Sequence, residues 1–110
     1  MVSYSSDILR GHTETIIIGI LKDADSYGYD ILKKILEKGK GLIDIKDATI
    51  YTAFKRMEKE ALITTYWGDE DAGARRKYYS ITEKGREYYA ARVKEWKEIN
   101  VILNNLIGGN

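Results

Sequence analysis

At 110 residues, with 18 basic and 17 acidic side chains and a formal net charge of +1, the chain has room for one core and offers no global field to a polyanion. It lacks cysteine, which excludes disulfides, thiolate nucleophiles and sulfur-ligated metal and suits a reducing cytoplasm. Its longest apolar run, Ile16 to Leu21, is too short to cross a bilayer, so a soluble, unprocessed cytoplasmic protein without a membrane partner is expected.

Proline is absent, so element boundaries rest on caps and glycines. Ser6, followed by Asp7, predicts the start of a first helix in which Leu9, Ile16, Ile17, Ile20 and Leu21 recur at helical spacing and which ends near Lys22 to Asp25. Ser26 is expected to cap a second helix with an Ile31, Leu32, Ile35 and Leu36 stripe, stopped by Gly39-Lys40-Gly41. Leu42 to Ile45 alternates weakly, as a short strand would. Asp47 then caps a third helix, Ala48 to about Ala61, that turns Ile50, Phe54, Met57 and Leu62 inward. Two β-rich runs, Ile63 to Trp67 and Lys77 to Ile81, flank the polar stretch Gly68 to Ala74 and predict a hairpin with a long tip. Thr82 caps a last helix that runs to about Ile107 before Gly108-Gly109.

This order is that of a mainly α (α+β) winged helix-turn-helix with a long C-terminal helix. Residues 1–81 would form the winged helix-turn-helix and 82–107 a dimerisation helix, in one compact unit, with the first helix against the dimer interface. In the last helix Tyr89, Trp96 and Leu103 are spaced by sevens, and Ile99 and Leu106 follow the latter two by three, which is a coiled-coil-like seam. With Ile16 from the first helix, these residues are the expected homodimer interface. Charge is uneven: residues 1–45 hold six basic and seven acidic groups, 46–86 nine and seven, and 87–110 three and three. Only the middle segment is positive, so any contact with DNA must come from local clusters such as Arg75-Arg76-Lys77.

Six short motifs lie in a fixed order: Leu9-Arg10-Gly11-His12-Thr13-Glu14, Ser26-Tyr27-Gly28-Tyr29-Asp30-Ile31, Ala48-Thr49-Ile50-Tyr51, Phe54-Lys55-Arg56-Met57-Glu58-Lys59-Glu60, Arg75-Arg76-Lys77-Tyr78-Tyr79 and Ile81-Thr82-Glu83-Lys84-Gly85. Together they resemble the PadR family of transcriptional regulators across roughly residues 8 to 106. Tyr66-Trp67-Gly68-Asp69-Glu70 and Trp96 are similar to its short, drug-responsive subgroup, which includes a lactococcal multidrug-resistance regulator. The resemblance implies a homodimeric repressor on a pseudo-palindromic double-stranded DNA site. It also implies relief by a planar aromatic or cationic small molecule in a dimer pore lined by Trp96, with no cofactor and no enzymatic activity. Two positions depart from the common pattern: Thr52 stands where many members have proline, and Ala61 where glycine is usual at the helix end.

The third helix in a major groove would bring Thr49, Thr52 and Lys55 to base edges, with Tyr51 and Arg56 placed for phosphate or for packing and Lys46 as a further DNA-binding residue. A solvated face with Tyr51 half-buried is the plainer alternative. Arg75, Arg76 and Lys77 are backbone contacts or a charged strand edge that discourages aggregation. Asp69-Glu70-Asp71 is too small a ligand set for a hard cation, and His12, the sole histidine, has no partner for a metal site or a catalytic triad. Trp96 is either an interface residue or a stacking platform, with Ile8, Gly11, Thr15, Val93 and Asn100 as the remaining pocket walls. A winged-helix module that binds protein, or a DNA binder without a pocket, are the competing readings.

Overall fold

The computed structural model describes residues 4–5, 9, 11–68 and 75–108. In chain order the elements are β1 (Tyr4–Ser5), α1 (Thr13–Leu21), β2 (Ser26–Tyr27), α2 (Gly28–Lys38), β3 (Ile43–Asp44), α3 (Asp47–Lys59), β4 (Ile63–Trp67), β5 (Lys77–Ile81) and α4 (Glu83–Ile107). Helix α1 begins later than the sequence predicts. Gly11 has φ +90°, a left-handed conformation that interrupts any helix arriving from upstream, and His12 is the residue before the first helical turn. The expected cap Ser6, with Asp7, lies outside the described residues. Ile17, Ile18, Ile20 and Leu21 are buried, so α1 is apolar on more than one side and packs against α2, α3, α4 and β5.

Ser26 does not cap α2. Residues 26 and 27 instead form an edge strand antiparallel to β5, pairing Ser26 with Tyr79 and Tyr27 with Tyr78. The buried Ser26 hydroxyl donates to the carboxylate of Asp30 in the first turn of α2. Two residues are too few for alternation to reveal a strand, and only the tertiary position of β5 creates it. The sheet order is β2-β5-β4, and β4 pairs with β5 from Ile63↔Ile81 to Trp67↔Lys77, the two runs expected from sequence. Near the tip the Gly68 amide donates to the Arg76 carbonyl at 2.8 Å, while Asp69, Glu70, Asp71, Gly73 and Ala74 lie outside the described residues. A second, parallel pair joins β1 to β3.

Helix α3 starts one residue early, with Lys46 in the capping position and no side-chain cap; Asp47 serves the first turn, where a carboxylate favours the positive helix end. Ile50, Ala53, Phe54 and Met57 are buried. Phe54 stacks on Tyr79 with ring centroids 4.0 Å apart, locking α3 to the sheet. Burial pushes the Tyr79 phenol up to about 12. Helices α2 and α3 with the β4–β5 hairpin make a winged helix-turn-helix, extended by the 25-residue α4. None of the helices among the described residues is long and apolar enough to cross a membrane.

The first turn of α4 sits directly on the turn that ends α3. Thr82 Oγ1 lies 2.7 Å from the Ala61 carbonyl and 3.0 Å from that of Leu62, and it accepts from the Gly85 amide at 3.0 Å. A β-carbon at Gly85 would fall 2.2 Å from the Leu62 carbonyl oxygen. Ala61 takes φ +61°, so this turn has the left-handed shape glycine ordinarily provides and carries the strain of a β-carbon there. Gly85→Ala should therefore lower stability by roughly 2–3 kcal/mol through overpacking. Ala61→Gly should raise it by roughly 0.5–1 kcal/mol as the strain is relieved. Urea unfolding of both variants checks this, and effects of the same sign would contradict the seating.

Candidate nucleic-acid interface and an adjoining cavity

The burial of Ile50, Ala53, Phe54 and Met57 fixes how α3 is rolled. At 100° per residue the side opposite them carries Ala48, Thr52, Lys55 and Lys59, all exposed. Thr52 and Lys55 were expected on this face; Ala48 and Lys59 were not, although the roll of the apolar stripe already implied them. Thr49 is half-buried on one flank. On that same flank Arg56 Nε pairs with Glu14 of α1 at 3.1 Å, and the Glu14 side chain is only 14% exposed. Arg56 is thus paired within the protomer while its side chain stays 64% exposed. On the other flank Tyr51 meets Phe54 edge to face, at 5.4 Å and 80°. Its hydroxyl lies over the start of α2, where a β-carbon on Gly28 would come within 2.3 Å of it. Lys46 is exposed just ahead of the helix.

The wing cations are held by aromatic faces. Arg76 lies 4.6 Å from the ring centre of Tyr27 and Arg75 lies 5.3 Å from that of Trp67. Lys77 reaches toward Glu58 of α3 at 3.9 Å. Tyr66 stacks on Tyr78, which meets Tyr27 edge-on, and the Tyr66 hydroxyl donates to Asp25 at 2.7 Å. Between wing and helices opens a cleft of about 340 Å³ lined by Tyr27, Gly28, Tyr29, Tyr51, Arg76, Lys77 and Tyr79. Three of the expected DNA contacts, Tyr51, Arg76 and Lys77, meet here at the positive end of α2. Amide hydrogens, a phenol and two cations suit a phosphate oxygen.

A larger cavity of about 550 Å³ lies between α1, α2, β3 and α4. Thr15, Val93 and Trp96, three of the expected pocket walls, line it together with Ile16, Tyr89 and His12. Leu9, Ile20, Ile35 and Ile43 deepen it, and Lys22 and Lys38 also line it. Gly11 is outside it: its carbonyl accepts from Arg92 Nη2, while Arg92 Nε reaches Thr15 Oγ1 at 3.4 Å. Asn100 lies farther along α4, in a groove with Lys97, Leu103 and Asn104. Ile8 lies outside the described residues. Tyr89 covers Gly19 of its own α1, with ring carbon 3.1 Å from where a β-carbon would stand. Burial, then the Glu14 carboxylate, raises the neighbouring Tyr88 phenol. Ile99, Leu103 and Leu106 stand on the outer half of α4 at 50%, 45% and 76% exposure. The lining from α2 and β3, and the clasp of Arg92, gave no signal in the sequence because no local pattern connects those segments.

The Gly28–Tyr51 contact can be tested directly. Gly28→Ala should cost roughly 1–3 kcal/mol by overpacking against the ring. In that background Tyr51→Ala should cost far less than it does alone, which a double-mutant cycle by thermal melting measures. Additive losses would place the ring elsewhere.

The model of the PadR-like family of transcriptional regulators matches residues 17–91. An uncharacterized protein of Lysinibacillus sphaericus is 41% identical over 104 residues, covering 94% of this chain and 95% of its own. A transcriptional regulator from Clostridium thermocellum, solved as Cth-833, is 42% identical with a TM-score of 0.87, covering 94% of this chain and 98% of that one. At the level of fold alone, Bacillus subtilis PadR in complex with operator DNA is similar at 24% identity and a TM-score of 0.66, over 73% of this chain and 45% of that one.

Proposed function

Because the chain belongs to the PadR-like family of transcriptional regulators, we propose that it acts as a homodimeric repressor whose two α3 helices enter successive major grooves of a pseudo-palindromic operator. The observation that carries this reading is the open α3 face of Ala48, Thr52, Lys55 and Lys59 together with the exposed wing cations Arg75 and Arg76. The same fold holds operator DNA in the Bacillus subtilis protein. With a net charge of +1, nonspecific attraction is weak, so affinity rests on shape, symmetry and a few cations.

Dimerisation is supported by α4. Trp96, Ile99, Ile102, Leu103, Leu106 and Ile107 are all at least 45% exposed along its outer half, an apolar surface that a single protomer leaves in water. A second copy placed there by a two-fold axis would have to set the α3 helices about 34 Å apart, one turn of DNA, for both to enter successive major grooves. Footprinting on DNA flanking the protein's own gene should give two protected half-sites at moderate salt; no protection would overturn the repressor reading. Lys55→Ala and Arg76→Ala should each weaken binding, and Arg76→Ala should reduce the salt slope by about one unit for a lost phosphate contact. Unchanged affinity in both would point to a protein-binding module.

The cavity beside Trp96 supports an inducer. Its apolar walls and a half-exposed indole suit a planar aromatic molecule, whose binding relieves repression only if it prefers a dimer spacing that misfits DNA. In a Trp67→Phe variant, Trp96 is the sole indole. Its emission should change on titration with planar cationic dyes. A flat response across a varied panel would leave a DNA binder whose pocket is structural.

A further inference from the structure

We infer that this protein recognises A·T base pairs in its operator through the thymine methyl group, with Ala48 and Thr52 as the specificity-determining residues; the inference rests on α3 being the DNA-reading helix. In the major groove an adenine is ordinarily held by the paired donor and acceptor of asparagine or glutamine, and a guanine by the fork of arginine. This chain contains no glutamine, and its four asparagines all stand at position 100 or later, on α4 and beyond. The only arginine on α3, Arg56, stands on the flank of that face and pairs through Nε with Glu14 of α1 at 3.1 Å, its side chain remaining 64% exposed. The open face of α3 is left with two methyl-bearing side chains, Ala48 and Thr52, and two ammonium groups, Lys55 and Lys59.

That inventory holds no side chain with the paired donor and acceptor that grips adenine bidentately, and the Thr52 hydroxyl offers only a single hydrogen bond. The same inventory can meet the partner thymine, whose C5 methyl projects into the major groove and is matched by an alanine or threonine methyl. Ala48 and Thr52 are four residues apart, so their methyls stand in one row about 6 Å apart along the helix, close to two base-pair steps of about 3.4 Å. Lys55 and Lys59 continue the row and suit guanine acceptors or phosphate. The rival source of A·T preference is the wing: Arg75 and Arg76 could favour a narrow minor groove. The two sources are chemically separable because the thymine methyl lies only in the major groove.

The full-length protein should first select duplexes from a randomised pool, and the selected duplex should then be synthesised with deoxyuridine in place of thymidine at each half-site position in turn. Uracil pairs as thymine does and lacks only the methyl. Binding should weaken about fourfold at each contacted thymine, the factor that corresponds to one buried methyl-sized group. Thr52→Ser should abolish the thymine-over-uracil ratio at one position per half-site, while Thr52→Val should keep it; Thr52 is exposed, and unchanged melting temperatures of both variants confirm that the fold is intact. Equal affinity for thymine and uracil duplexes, or a Thr52→Ser variant that retains the full ratio, would overturn the methyl readout while leaving DNA binding in place. Failure to enrich any duplex would remove the DNA-reading role of α3 and the readout with it.

Discussion

Gly85 approaches the Leu62 carbonyl so closely that no side chain fits between them, and Thr82 binds the same turn from its other side. This seating joins the end of α3 to the beginning of α4 with little freedom to hinge. Lys84 adds a third tie, its ammonium donating to the Glu60 carbonyl at 2.9 Å. The direction of α4 is therefore set by the direction of α3. Whatever meets the outer half of α4, a helix about 37 Å long in all, is placed at a defined angle to the open face of α3. The turn keeps its shape at Ala61 despite the strain of a left-handed alanine, because the contacts around it over-determine the backbone.

Helix α1 lies between these two elements and is tied to both. Arg92 of α4 holds the Gly11 carbonyl and reaches Thr15, while Glu14, between them in sequence, holds Arg56 of α3. The first turn of α1 is thus fixed by α4 on one face and by α3 on another. Thr15 also lines the cavity of about 550 Å³ that Trp96 borders. A molecule entering that cavity would contact the residue through which α1 and α4 are joined, and cores packed at this density pass such shifts to their neighbours.

The distribution of cations explains how a nearly neutral chain presents a basic surface. Arg56 and Lys77 pair with Glu14 and Glu58 at 3.1 and 3.9 Å, yet their side chains stay 64% and 43% exposed, so both cations remain at the surface. Arg75 and Arg76 are not free-swinging either: each rests on an aromatic face, Trp67 or Tyr27, which limits the conformations lost on binding. Lys55 and Lys59 alone extend from α3 into open solvent on its outer face.

The amino-acid sequence by itself determined the elements whose signals are local. The wing strands Ile63–Trp67 and Lys77–Ile81, the cap at Thr82, the extent of α4 and the inward row Ile50, Phe54 and Met57 all follow from alternation, capping and a 3.6-residue period. Only the tertiary structure decided the rest. Ser26 became a strand because β5 lies beside it, the first helix begins at Thr13 behind a left-handed Gly11, and Arg56 found a carboxylate 42 positions earlier in the chain. The cavity draws its walls from α1, α2, β3 and α4, and Asn100 and Gly11 fell outside it. The physical reason is common to all these cases: periodicity and capping are properties of neighbours in sequence, whereas ion pairs, strand edges and cavities are made by residues that only packing brings together.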